Sequence, residues 1–133
     1  MTCISTSDVW RQILDTLEIA RDIVNGLEDK KAENIILLDL TSQGLKTDYT
    51  IADLFIICTG NSDRQIKALA DNVREVVKIL HEKLPSSVEG DTNSGWVLMD
   101  YGDIIVHIMT DEMRRYYDLE GLYRQANVLL SIQ

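Results

Sequence analysis

Proline and phenylalanine occur once each in this chain, cysteine twice and histidine twice, and aromatic side chains make up only 6% of its 133 residues. The single proline and the scattered glycines leave no Pro/Gly-rich linker, and there is no repeat or low-complexity tract, so one domain spanning 1–133 is expected. No apolar run approaches the roughly 18 residues that a bilayer requires, so no membrane partner is expected. Met1 to Ser7 carry neither a basic n-region nor a following apolar stretch, and the start is not Arg-rich and acid-poor. A secretory signal and an organelle presequence are therefore not expected, which leaves a cytoplasmic location. Cys3 and Cys58 lie too far apart in such a chain for a disulfide framework, and Cys58, inside the apolar run Leu54–Cys58, reads as a small buried hydrophobe.

Basic residues are scarce as well. Thirteen Lys and Arg stand against twenty-two Asp and Glu, a net charge of −9. Nucleic-acid binding rests on neutralising phosphates with Lys and Arg, so direct, sequence-specific contact with nucleic acid is not expected. The charge suits a basic protein surface, or serves solubility alone. His81 and His107 form no His-x-x-x-His or Cys-x-x-Cys pattern, and no metal or cofactor is called for. No Walker loop or Gly-x-Gly-x-x-Gly occurs either.

What is present is patterned. Val9, Ile13, Leu17, Ala20, Val24 and Leu27 recur at helical spacing, which predicts a helix over 8–27, capped by Ser7 or Thr6 and weakened near its end by Gly26. The apolar run Asn34–Leu40 predicts a strand covered on both faces, and a second is expected from about Ala52 to Thr59, with a polar loop over Thr41–Thr50 between them. Ser62 and Gln65 form a capping box for a helix whose apolar face is Ile66, Leu69, Val73, Val76, Val77, Leu80 and Leu84, stopped by Pro85. Ser86–Asp91 can form a short strand. Gly95–Tyr101 and Asp103–Met109 read as two strands joined by a tight turn at Gly102, and Thr110 caps a final helix with Asp111 and Glu112 in its first turn. Residues 125–133 carry no clear pattern. Helices interspersed with strands predict an α/β domain with a mixed sheet of about five strands.

The turn Thr59–Gln65 sits between a strand and a helix, where an anion could meet free N–H groups, but turn and cap chemistry accounts for Gly60, Ser62 and Gln65 and leaves only Arg64 without a role. Asp100 and Asp103 flank a hairpin turn, where Asp beside Gly is ordinary turn chemistry. Charge distribution says more. Between Leu84 and Met113 there is no Lys or Arg, while Glu89, Asp91, Asp100, Asp103, Asp111 and Glu112 accompany Trp96 and Tyr101. Acids around aromatic anchors suit docking of a basic protein; equally, Trp96 could be core and the acids solvated turns.

Four segments, in order, resemble the Iojap-like, or ribosomal silencing factor RsfS, family. They are Lys30-Lys-Ala-Glu-Asn-Ile-Ile-Leu-Leu-Asp-Leu40, Asp53-Leu-Phe-Ile-Ile-Cys-Thr-Gly-Asn-Ser-Asp-Arg-Gln65, Gly95-Trp-Val-Leu-Met-Asp-Tyr-Gly-Asp-Ile-Ile-Val-His-Ile-Met109 and Arg115-Tyr-Tyr-Asp-Leu-Glu120, together covering about residues 17–123. The resemblance implies a nucleotidyltransferase-like sheet topology in a protein that is not an enzyme. It also implies binding to ribosomal protein fourteen of the large ribosomal subunit, which blocks joining of the small subunit and represses translation. The partner-binding residues it implies are Trp96, Asp100, Tyr101 and Asp103. Tyr123 stands where the family commonly has tryptophan, and residues 1–16 and 124–133 are terminal extensions without an assigned counterpart. The alternative is a nucleotidyltransferase-like enzyme using Asp100 and Asp103 with a divalent metal, an analogy of fold alone. A homodimer through the partner-binding strand face is compatible with the first reading and would compete with the ribosome.

Overall fold

Two apolar runs without alternation, Leu54–Thr59 and Ile104–Met109, pair in parallel at the centre of a sheet and are buried along their whole length. Such runs need cover on both faces, and the fold provides it. The computed structural model describes residues 6–40, 52–91 and 93–133, apart from the side chains of Thr6 and Val9. The elements run α1 (Thr6–Asp29), β1 (Glu33–Asp39), β2 (Leu54–Thr59), α2 (Asp63–His81), β3 (Ser87–Asp91), β4 (Trp96–Asp100), β5 (Ile104–Met109), α3 (Asp111–Tyr117), α4 (Leu119–Leu122) and β6 (Asn127–Ile132). The six strands lie in the order β3-β4-β5-β2-β1-β6, antiparallel except at β2–β5, so the sheet is mixed as expected.

Helices α1 and α2 cover one face. Ile19, Ile23, Val24 and Leu27 from α1 meet Ile66, Leu69, Val73 and Val77 from α2 over Leu54, Ile56, Cys58, Val97, Met99, Val106 and Ile108 of the sheet. The two helices run antiparallel and close together at Gly26, where an added Cβ would stand 3.2 Å from the Asn72 side-chain nitrogen and 3.3 Å from Val76. Asn72 donates to the Gly26 carbonyl at 2.8 Å, and Asp22 meets the His81 ring at 2.7 Å. Gly26 therefore marks a helix–helix approach inside α1 rather than a weak end, and α1 continues to Asp29. On the opposite face Leu38, Phe55, Ile57, Ile105 and Met109 form a smaller core, partly roofed by Met113 of α3, Leu119 of α4 and Tyr123.

The cap of α2 follows its sequence signature. Ser62 Oγ accepts from the Gln65 N–H at 3.1 Å, while Gln65 Oε1 accepts from the Asn61 N–H. The Gln65 amide also donates to the carbonyls of Lys30 and Lys31, tying the start of α2 to the turn before β1. Arg64 is exposed on the first turn of α2.

Some expectations are corrected. Helix α2 ends at His81, with Glu82 in the left-handed region, four residues before Pro85. Leu84 lies beyond the helix, and Leu80, in its last turn, faces outward, so both are exposed rather than part of the apolar face. Ile13 and Leu17 of α1 are also largely exposed, and the buried stripe runs instead through Ile19, Ala20, Ile23, Val24 and Leu27. The tail beyond Ala126 forms strand β6, hydrogen-bonded along β1, one strand more than the pattern suggested. The loop expected over Thr41–Thr50 and the terminus bearing Cys3 fall outside the described residues.

Candidate protein-binding face

Residues directly opposite one another in an antiparallel pair share a face, and successive residues of a strand alternate. In β4 this separates Trp96, Leu98 and Asp100 from Val97, Met99 and Tyr101. Met109, His107 and Ile105 lie opposite the first set in β5, and Asp91, Glu89 and Ser87 lie opposite it in β3. The face shared with α3 therefore carries a band of half-buried Trp96 and Leu98 beside exposed Glu89 and Asp91 and half-buried Asp100.

Trp96 is held rather than loosely placed. Its indole Nε1–H donates to His107 Nδ1 at 3.1 Å, and the Tyr117 ring lies 4.8 Å from it between centroids. Phe55 packs edge-on to the other side of His107 at 4.8 Å, and Tyr123 edge-on to Phe55 at 5.0 Å. Accepting at Nδ1 fixes the His107 proton on Nε2, a buried atom with no hydrogen-bond partner among the described residues. Burial pushes the His107 pKa down to about 4, so at neutral pH the ring is uncharged and can accept from the indole. The strand histidine is thus hydrogen-bonded through its ring to the indole.

The backbone around this band depends on two glycines. Gly90 has φ +78°, and a Cβ there would stand 2.1 Å from the Trp96 carbonyl oxygen. Gly95 has φ +79° and lies against Thr110, whose N–H donates to the Gly95 carbonyl and whose hydroxyl accepts from the Met113 N–H. This joins the start of β4 to the start of α3, the helix that brings Tyr117 to Trp96. Arg114 anchors the same helix: largely buried, it pairs with Glu120 and donates to the Asn34 carbonyl and the Thr59 hydroxyl.

The four residues singled out from the sequence do not form one cluster. Trp96 and Asp100 share the α3 face. Tyr101 packs instead against the α1/α2 core, its hydroxyl buried without a partner among the described residues. Burial pushes its pKa up to about 12, opposed by the nearby Arg74 guanidinium. Asp103 lines a small cleft with Tyr101, Thr16, Ile19, Lys83 and Ile104. One Asp100 oxygen accepts the Gly102 N–H at 2.7 Å, the turn chemistry read from the sequence. Divalent-ion chemistry by Asp100 and Asp103 would need converging carboxylates. One oxygen is occupied at the turn and the other residue borders a cleft on the helical side, and no group of three His, Cys, Asp or Glu among the described residues could hold a metal ion. Cys58 is wholly buried, its pKa pushed up to about 12 by burial despite Arg114, the behaviour of a packed hydrophobe.

Leu98 and Tyr117 were not picked out by the sequence pattern. Alternation along β4 carried a signal for Leu98, two residues from Trp96. Tyr117 had none, since its approach to Trp96 depends on how α3 folds back on the sheet.

A mixed sheet roofed by two helices, with a half-buried tryptophan and acids on its other face, defines a small α/β domain with a candidate docking face. Residues 14–133 match the family described as "Ribosomal silencing factor during starvation". A ribosomal silencing factor RsfS of Halalkalibacterium halodurans is 37% identical over 109 residues, covering 82% of this chain and 88% of that one, and its Bacillus subtilis counterpart is 37% identical over 99 residues, 74% and 79%. The chloroplastic protein Iojap of Zea mays is 38% identical over 73 residues, 54% of this chain and 31% of that one. A Chromobacterium violaceum crystal structure superposes with a TM-score of 0.72 at 36% identity, covering 81% of this chain and 85% of that one, and one from Bacillus halodurans gives 0.67 at 32%, covering 88% and 98%. The chain belongs to the ribosomal silencing factor RsfS family.

Proposed function

We propose that this protein represses translation by binding the large ribosomal subunit through a basic surface of ribosomal protein fourteen, its own bulk then obstructing the small subunit. The observation that carries the reading is Trp96, held half-buried by His107 and Tyr117 in a band with Glu89, Asp91 and Asp100. An aromatic already oriented in the free protein loses little freedom on docking, and surrounding acids steer a basic partner. The action is steric and regulatory, in the cytoplasm, with no covalent step and no cofactor. Asp100 remains in the proposed contact set with Trp96; Tyr101 and Asp103 join it only if the partner also reaches around the β4–β5 turn.

The test is co-sedimentation with purified large subunits, together with the fraction of joined ribosomes when small subunits are added. The wild type is expected to pellet with the subunit and to lower that fraction. Trp96→Ala should weaken binding by about 2–4 kcal/mol, the range of a central aromatic anchor. Tyr101→Phe, which removes only a buried hydroxyl, should leave binding unchanged. A folded Trp96→Ala protein with wild-type affinity would sink the assignment of this face.

A further inference from the structure

Helix α3 presents two different faces. Met113 packs on the smaller core and Tyr117 on Trp96. Asp111, Arg114, Arg115 and Asp118, spaced at three and four residues, project from the opposite side. That side closes a cavity of about 320 Å³ against the β1–β6 end of the sheet. Asn34 and Ile36 of β1 line it with Ser131 and Gln133 from the end of the chain. Ile36 stands opposite Ser131 in the strand register, and alternation puts Asn34 and Gln133 on the same face. Glu120 of α4 completes the wall. None of these residues lies in the proposed docking band.

The lining is charged in both senses, and its charges are only partly paired with one another. Arg114 gives Nε to Glu120 and Nη1 to the Asn34 carbonyl and the Thr59 hydroxyl. Its Nη2 donors meet no acceptor among the described residues and are not buried, so they open onto the cavity. Arg115 meets Asp111 at 3.2 Å with both side chains exposed, a pairing that solvent keeps weak. One Asp118 oxygen accepts the Gly121 N–H, and the other has no protein donor among the described residues. Two guanidinium groups and three carboxylates thus share one small space. An anion alone would meet the carboxylates, and a cation alone the guanidinium groups. A zwitterion answers both.

We infer that the cavity binds a small zwitterion of the free α-amino acid class. Its carboxylate lies on Arg114 Nη2 and Arg115 and its ammonium on Asp118, with the Asn34 amide and the Ser131 hydroxyl beside them. The volume is at the small end for ligand sites, and Ile36 is the one apolar lining residue, so a short side chain suits the space. A ligand held this way ties α3 to β1 and β6 and steadies the helix whose other face carries Tyr117. Trp96 thereby responds to an event on the far side of α3.

Nuclear magnetic resonance titration of the full chain with alanine tests the inference. Propionate and ethylamine, each alanine without one of its charged groups, are the comparison probes. Alanine should shift the amide signals of Asn34, Ser131 and Asp111 to Asp118 saturably, with a dissociation constant on the order of 1 mM for so few atoms. Propionate and ethylamine should each bind at least tenfold more weakly. Arg115→Gln and Asp118→Asn should each weaken alanine binding at least tenfold. Asparagine keeps an acceptor for the Gly121 N–H and tolerates the left-handed backbone of residue 118, so the fold survives. Lys67→Gln, exposed on α2, should bind as the wild type does. With Trp10→Phe leaving Trp96 as the single tryptophan, alanine should also change the fluorescence over the same concentration range. Shifts that never saturate overturn the inference, as does propionate or ethylamine binding as tightly as alanine, or an Asp118→Asn protein with wild-type affinity. A Trp96 signal unmoved at saturation overturns the link through α3. None of these measurements involves the ribosome, so failure here is distinct from failure of the docking face.

Discussion

At the scale of single residues, His107 links the core to the proposed contact surface. Its neutral ring accepts the Trp96 indole proton, so protonating Nδ1 both places a charge in a buried site and sets two donors against each other. Its folded pKa, about 4, lies below the ordinary value of 6.5, so the unfolded chain binds the proton more readily. The stabilisation is complete above pH 6.5 and is lost as pH falls from there through 4, on the order of 3 kcal/mol in all. Urea titrations at pH 7, 5.5 and 4.5 should show that decline, and His107→Gln should flatten it across this window. An equally steep decline in the variant would place the acid sensitivity elsewhere. Trp96 itself was ambiguous from composition, core or anchor. It is half-buried, because a strand residue at the margin of a small core can bury one ring edge and leave the other exposed.

At the scale of elements, β3 decides whether Glu89 and Asp91 join Trp96 in one band. Alternation within each strand was legible in the sequence, and it already separates adjacent Asp100 and Tyr101 onto opposite faces. The register of β3 against β4 was not legible, because it depends on Gly90 passing close to the Trp96 backbone. Gly90→Ala combines an unfavourable positive φ with a collision against that carbonyl, and should cost more than about 1 kcal/mol in denaturant stability. It should also weaken large-subunit binding, although residue 90 bears no charge. Unchanged stability would mean that β3 can shift at no cost. The extent of α2 shows the same division. Its cap was plain in Ser62 and Gln65, whereas the turn at Glu82 ends the helix before the proline expected to stop it.

For the whole molecule, the net charge of −9 is distributed unevenly, with no base between Leu84 and Met113. Association with a basic partner should consequently slow as salt rises, by about tenfold between low and physiological ionic strength. Dissociation should change less, since desolvated contacts at Trp96 are poorly screened. Stopped-flow association at several salt concentrations checks this, and a rate indifferent to salt would remove charge steering from the account.

The amino-acid sequence alone determined the alternation of helices and strands, the central buried strands, the caps at Ser62 and Thr110, and the likeness to ribosomal silencing factors. Each depends on neighbours within a turn or on a strand's own periodicity, or on motifs written contiguously along the chain. Only the tertiary structure decided that β6 completes the sheet. Val128, Leu129 and Leu130 are exposed edge residues, and without burial the strand leaves no clear pattern. It also decided that Tyr117 and His107 hold Trp96, and that Ile13 and Leu17 of α1 stay exposed. Those outcomes depend on the lengths and docking of elements distant in the chain, which local chemistry does not encode.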